Sequence, residues 1–295
     1  MEHEHLTSDD GLMIKSNGYQ LAESDDRLGM LSPVPAGDRD DREKLWDRLR
    51  KDGYLYLKGF LPSDDVTGFR EYYFSTMSAA GLGSTEHSPR DGIDGGGSLD
   101  LGTMRSLLFN TIVPSSTYGA ITGHPLIVSW FRWFLGDDVH LHKRKIIRHV
   151  RPGESGIGTA TQAHYDLVYL REGTDRVLSM WIPLGDCPVS MGGLTYLEGS
   201  HIRVLRDEAS GQLRRPAASI TADLPGLADQ YDSRWLVADY EAGDVMVHSA
   251  HIIHAGTDNV DENSRIRLST DIRYQRLSEP IDWRWQNHWR DDDGL

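Results

Sequence analysis

Gln162-Ala163-His164-Tyr165-Asp166 sets an imidazole and a carboxylate two residues apart. On a β-strand, residues i and i+2 point to the same face, so His164 and Asp166 can grip one object together. Further along, His248-Ser249-Ala250-His251-Ile252-Ile253-His254 offers a third ligand. Two imidazoles and one carboxylate are the donor set of non-haem Fe(II) sites that keep coordination positions open. A His-x-Asp alone is more often surface or turn chemistry, so its surroundings decide.

The chain has 295 residues, 38% of them hydrophobic and 26% charged, which describes a globular domain with room for a sizeable core. Its net charge of −14 argues against nucleic acid or an anionic membrane as main partner, since both need a basic face. A small anionic ligand in a locally basic pocket remains compatible. With one cysteine, Cys187, an intramolecular disulfide and a Cys-based zinc site are both excluded. No secretory pattern and no apolar run near 18 residues is present, so an intracellular, cytoplasmic protein is expected. Any metal must be held by carboxylates and some of the 13 histidines.

Outward from this stretch, residues 1–40 are polar and acidic and read as a tail, loosely ordered or laid over the body. One domain is expected over 41–295. A helix runs from Asp41 to a stop at Gly53, and Tyr54 to Phe60 reads as a strand. Pro62-Ser63-Asp64-Asp65 looks like an N-cap, with Val66, Phe69, Tyr73 and Met77 on one face of the helix behind it. Residues 81–102 are glycine-rich and read as a loop or lid. Pro125 to Leu135 is a further helix, capped by Gly136. From 138 on, short strands dominate: Val139–Val150, Thr159–Leu170, Val177–Leu184, Gly193–Leu197, Leu236–Tyr240, Asp244–Val247, His251–His254 and Arg267–Gln275. A loop-and-helix insertion is expected at 202–234. Many short strands with helices gathered in the N-terminal half predict a mainly β fold, a jelly-roll barrel with helices flanking one side.

A site of this kind that uses a 2-oxo acid co-substrate also needs a fixed cation for its far carboxylate. Arginine suits that task, because its planar fork matches a carboxylate. Arg265-Ile266-Arg267-Leu268-Ser269 follows His254 closely, and alternation puts Arg265, Arg267 and Ser269 on one face. Arg267 with Ser269 can hold both oxygens of a carboxylate. Gln162 shares the face of His164 and is a candidate substrate contact.

Several segments in order resemble the phytanoyl-CoA dioxygenase family of Fe(II)/2-oxoglutarate oxygenases. They are His164-Tyr165-Asp166, Met180-Trp181-Ile182-Pro183-Leu184, Gly192 to His201, Gly243-Asp244 with the strand to His254, and Asn259 with Arg267. The resemblance spans roughly 40–275. It implies a double-stranded β-helix core, of the jelly-roll or cupin-like kind, with Fe(II) held by His164, Asp166 and His254. It also implies 2-oxoglutarate held by Arg267, with Trp181 lining the same pocket. In the family the distal histidine lies eleven residues after the glycine of the Gly-Asp turn, and Gly243 leads to His254 on that count. His251 is then a neighbour or surface residue, and His248 a packed strand residue. Arg265 sits at the family's commonest distance, while Arg267 fits if the loop after Asn259 is two residues longer. Related halogenases carry a small residue in place of the carboxylate, so Asp166 implies hydroxylation or another oxidation rather than halogenation.

The implied reaction consumes O₂ and 2-oxoglutarate, releases succinate and CO₂, and oxidises a small organic metabolite, in the manner of secondary metabolism. An acyl-CoA 2-hydroxylase, or a cupin-like metal barrel without oxygenase activity, are the alternatives. Substrate choice is expected from the loops 81–102 and 202–234. The run His142-Lys143-Arg144-Lys145 can bring half its charges to the barrel mouth. His201 is expected to fix a turn, and Trp283, Trp285 and Trp289 to cover a core face or an oligomer contact. The oligomeric state is not legible.

Overall fold

The computed structural model describes residues 13–154, 156–170, 172–211 and 219–290. The helix Arg42–Asp52 starts at Asp41, whose side chain accepts from the N–H groups of Glu43 and Lys44 at 3.1 Å each. It ends at Gly53 with φ +79, where a Cβ would also lie 2.7 Å from His201 Nδ1. Glycine is therefore required there by conformation and by space. The helix Ser63–Met77 buries Val66, Phe69, Tyr73 and Met77 as the periodicity predicts. Its N-cap position is Pro62, which offers no side-chain acceptor, so the expected capping bond is not made. The helix Pro125–Leu135 has the expected bounds, with Gly136 at φ +69.

Two sheets face each other as a jelly roll. The larger runs in the order Tyr54–Leu57, Val245–Ser249, Leu178–Pro183, Arg267–Arg276, Val139–Leu141, with Ile146–Val150 also paired to Arg267–Arg276. The smaller runs His254–Gly256, Leu194–Leu197, Trp235–Val237, Leu28–Met30. All these pairs are antiparallel except the last, in which Leu28–Met30 lies parallel to Trp235–Val237. Residues 13–40 thus lie over the body and lend it a strand, with Leu21 and Leu28 buried.

Three expected strands differ from what is observed. Residues 251–253 form no strand; the strand begins only at His254 and runs to Gly256. Val139–Val150 is broken into Val139–Leu141 and Ile146–Val150, each paired separately with the long strand. Thr159–Leu170 forms only single bridges, Ala163 to Thr221 and His164 to His254, before a 3₁₀ turn at Asp166–Val168. The Leu167 N–H donates to the carbonyl of Ala250 instead of extending a ladder.

Strand alternation divides the core. Leu55, Leu57, Leu178, Met180, Ile182, Val245, Val247, Leu268 and Ile272 leave the larger sheet on its outer face and pack against Phe69, Tyr73, Phe131 and Phe134 of the helices. Tyr54, Tyr56, Trp181, Met246, Tyr196 and Tyr240 fill the space between the sheets. Arg70 is buried within the helical layer. Its guanidinium donates to the carbonyls of Arg90 (2.9 Å), Asp91 (3.0 Å), Leu184 (3.2 Å) and Ile266 (2.9 Å), and burial pushes its pKa down to about 10. These bonds tie residues 90–91 to the ends of two strands. Arg70→Gln strands several of these carbonyls, and we expect a loss of about 3–5 kcal/mol in unfolding free energy. Urea denaturation measures it; a loss under about 1 kcal/mol would show that the loop closes without the guanidinium.

Candidate active site

His164 and His254 exchange two backbone hydrogen bonds, His164 N–H to His254 O at 3.0 Å and His254 N–H to His164 O at 2.8 Å. Such a pair sets the two residues directly opposite each other, and the ring centroids lie 4.2 Å apart. Each Nδ1–H donates to the carbonyl two residues back, Gln162 O at 2.8 Å and Ile252 O at 3.1 Å. Both protons are thereby placed on Nδ1, leaving both Nε2 lone pairs for a ligand. His254 Nε2 is buried and has no partner among the described residues. Burial, with His164 and His248 close by, holds the His254 pKa well below its ordinary value, and burial does the same, less strongly, to His164. Neutral imidazole is the form that ligates a metal.

Asp166 completes the set: one ligand atom from each of His164, Asp166 and His254 lies within 4.8 Å of the others. Burial opposes its charge, but Arg273 beside it and the imidazoles of His248 and His254 hold its carboxyl well below the usual range. Oδ1 accepts from Arg273 Nη2 at 2.9 Å. Oδ2 accepts from Ser179 Oγ–H and lies 3.5 Å from His248 Nε2. Since the carboxylate only accepts, Nε2 of His248 carries the proton, and Nδ1 accepts from Tyr196 O–H at 2.8 Å. Ser179 stands opposite both His248 and Arg273 in the sheet register. One row across three adjacent strands therefore supports the carboxylate and leaves it lone pairs for a metal. This donor set, with both tautomers arranged for it, fits Fe(II).

A cavity of about 230 Å³ opens beside this set, walled by Trp181, Leu194, Arg267, Ser269 and Tyr169 among others. Arg267 is buried, and its Nη1–H donates to Ser269 Oγ at 3.1 Å, while its Nε–H has no partner among the described residues. Arg265 is engaged elsewhere, forked onto Asp261 through Nη2 at 2.6 Å and Nε at 3.1 Å. The alternation that puts both arginines on one face holds only from Arg267, where the strand begins; Arg265 makes a single bridge to Ile93.

The other expectations divide. Gln162 is half-buried and serves through its backbone carbonyl; Thr161, and not Gln162, lines the cavity. No regular strand runs through 161–165, so the same-face rule fails there. His251 Nε2–H donates to Glu208 Oε2 at 2.7 Å, apart from the cavity, and His201 Nε2–H donates to Arg50 O at 3.0 Å in the first turn of a helix. No described residue of 81–102 or 202–234 lines the cavity, and 212–218 lie outside the described residues. Trp285 and Trp289 line it instead, while Trp283 is exposed. Arg144 of the basic run lines it too; Lys145 lies over the Tyr118 ring. Ser179, Tyr196, His248 and Arg273 were not foreseen as supports of the carboxylate. Extending the period-two count from Arg267 would have reached Arg273; the others have no local signal.

A jelly roll carrying two imidazoles and a carboxylate beside an arginine-lined cavity is an Fe(II)/2-oxoglutarate-dependent dioxygenase. The chain belongs to the phytanoyl-CoA dioxygenase family, whose profile matches residues 49–267. It is 26% identical over 242 residues to 1-deoxypentalenic acid 11-beta-hydroxylase of Streptomyces exfoliatus, covering 81% of this chain and 83% of the relative. It is 23% identical over 237 residues to ectoine dioxygenase of Stutzerimonas stutzeri, covering 76% and 74%. Among solved structures, the fold resembles the alpha-ketoglutarate-dependent epimerase SnoN from nogalamycin biosynthesis, with a TM-score of 0.55 and 20% identity over 81% of this chain and 85% of that one.

Ser179→Ala deletes one support of Asp166 without touching a ligand. Fe(II) affinity, measured anaerobically by competition with a chelator, is expected to fall about tenfold with the fold intact. Unchanged affinity would mean that Arg273 and His248 suffice to orient the carboxylate.

Proposed function

We propose that the chain hydroxylates an unactivated C–H bond of a small organic metabolite, with His164, Asp166 and His254 as the iron ligands. Arg267 holds the far carboxylate of 2-oxoglutarate, Ser269 orients its guanidinium, and Trp181 walls the same cavity. One dioxygenase domain extends over 41–295, with residues 13–40 laid across it. The observation that carries this reading is the buried Nε2 of His254, without a partner among the described residues and beside the ligand atoms of His164 and Asp166. Leaving such an atom without a ligand costs free energy that a metal returns.

Bound iron and 2-oxoglutarate supply the oxidising power, with succinate and CO₂ as co-products. The protein contributes placement. Gln162 O and Ile252 O hold the imidazoles in one tautomer, and the row His248, Ser179, Arg273 holds the carboxylate ionised. Trp181, Tyr169 and Leu194 restrict water at the reacting carbon. No side chain acts as general acid or base. Asp166, being a carboxylate, leaves no site for a halide, which supports hydroxylation.

A small substrate is supported by the cavity of about 230 Å³, below the roughly 300–1,000 Å³ of pockets that enclose drug-sized ligands. The nucleotide of an acyl-CoA would lie outside it. Two relatives are named for small metabolites, 1-deoxypentalenic acid and ectoine.

Fe(II) and 2-oxoglutarate added anaerobically are expected to produce a visible metal-to-ligand charge-transfer band. His254→Ala abolishes it, and Arg267→Ala raises the 2-oxoglutarate half-saturation by about 10–100-fold, the worth of a charge-assisted pair. Arg265→Ala leaves it unchanged. A folded, iron-loaded protein without the band would sink the proposal.

A further inference from the structure

Four arginines, Arg144, Arg148, Arg267 and Arg273, line the cavity. Against them stand Asp271 in the wall and Asp166 beneath it. Arg144 is engaged elsewhere, so three cations less two carboxylates leave a surplus of one positive charge. Fe(II) and 2-oxoglutarate carry opposite and equal charges, so loading the site leaves that surplus in place. Arg273 is committed to Asp166 and Arg267 to the co-substrate, in the reading proposed above, on which this inference rests.

Arg148 is then distinctive. It lies on the strand Ile146–Val150 opposite Ser269, the residue that receives Arg267. Its side chain is reached by solvent through the open cavity. Among the described residues no hydrogen bond or ion pair holds it, and Asp271 acts on it only at a distance. Other arginines nearby are treated differently: Arg151 is forked onto Asp94 at 2.9 and 3.0 Å, and Arg273 donates to Asp166 through Nη2 at 2.9 Å. An exposed guanidinium without a counter-charge is free to pair with an anion placed against it.

The wall around it is aromatic. Trp285 is buried between two guanidinium groups, with Arg144 at 5.3 Å and Arg273 at 4.7 Å from its ring centroid. Its Nε1–H has no partner among the described residues. Trp289 borders the same space and meets Phe109 edge-on at 5.0 Å. Ile146 adds an aliphatic surface.

We infer that Arg148 anchors a carboxylate on the substrate, whose apolar body lies against Trp285, Trp289 and Ile146. The substrate class is an apolar monocarboxylic acid, bound acid-end to Arg148 so that a carbon of its body faces the iron. The Trp285 Nε1–H supplements the anchor. Arg148 is a specificity-determining residue, not part of the 2-oxoglutarate clamp.

The test uses the full chain with Fe(II) and 2-oxoglutarate under anaerobic conditions. The probes are cyclohexanecarboxylate, decalin-carboxylate and adamantane-1-carboxylate, each beside its primary amide. Binding is read from the change in the charge-transfer band and from tryptophan fluorescence. At least one acid is expected to half-saturate at a concentration tenfold or more below its amide. Arg148→Gln removes that preference, while its 2-oxoglutarate half-saturation without probe stays within about twofold of wild type. Arg148→Lys keeps part of the preference, and Lys143→Gln, on the exposed side, keeps all of it.

Equal binding of acids and amides across the set overturns the inference, as does a preference that survives Arg148→Gln. A rise in 2-oxoglutarate half-saturation with Arg148→Gln like that of Arg267→Ala also overturns it, by assigning Arg148 to the co-substrate. If the wild-type band itself is missing, the proposed iron site fails separately. The fluorescence comparison of acid and amide still decides the anion subsite in that case.

Discussion

His164 and His254 are joined by a reciprocal pair of backbone hydrogen bonds, at 3.0 and 2.8 Å, that no longer ladder continues on the His164 side. This short bridge brings two segments from opposite ends of the barrel sequence side by side and points both rings at one spot. The carbonyls two residues back then choose the tautomer. Because Asp166 follows His164 by two residues and enters a 3₁₀ turn, its carboxylate drops beneath the imidazoles onto the row His248, Ser179, Arg273. Everything around the site serves to keep this bridge and that row in register.

The long strand Arg267–Arg276 links the site to the stability of the whole. Its outer face sends Leu268, Ile272 and Tyr274 into the helical layer, where Tyr274 stacks on Phe131 at 4.3 Å. Its inner face carries Arg267, Ser269, Asp271, Arg273 and Gln275. A central strand with one wholly polar face is unfavourable unless that face meets partners or a cavity. Here it meets both, so the packing that secures the fold also aims the charged groups.

Net charge misleads about such a cavity. The chain carries −14 overall, yet the space beside the metal ligands is lined by four arginines. The acidic surface is a sum over exposed residues, whereas the cavity collects the inner face of a few strands. Local charge at a site is set by register, and a chain of either sign can enclose a site of the other.

Local patterns carried much of the architecture. The helices at Arg42–Asp52 and Pro125–Leu135, with Gly53 and Gly136 as their stops, and the apolar face of Val66, Phe69, Tyr73 and Met77 follow from periodicity and capping, which act within a few residues. His164, Asp166 and His254 were legible because ligand chemistry restricts residue type and spacing. Three things were beyond such rules. Arg265 and Arg267 differ only in where a strand begins, which depends on the partner strand. Gln162 does not line the cavity, where single bridges replace the expected strand. His248, Ser179 and Arg273 converge on Asp166 because three strands distant in sequence are paired in one register. Spacing along the chain expresses short-range preferences; convergence of distant side chains expresses pairing energies that exist only when the sheets are assembled.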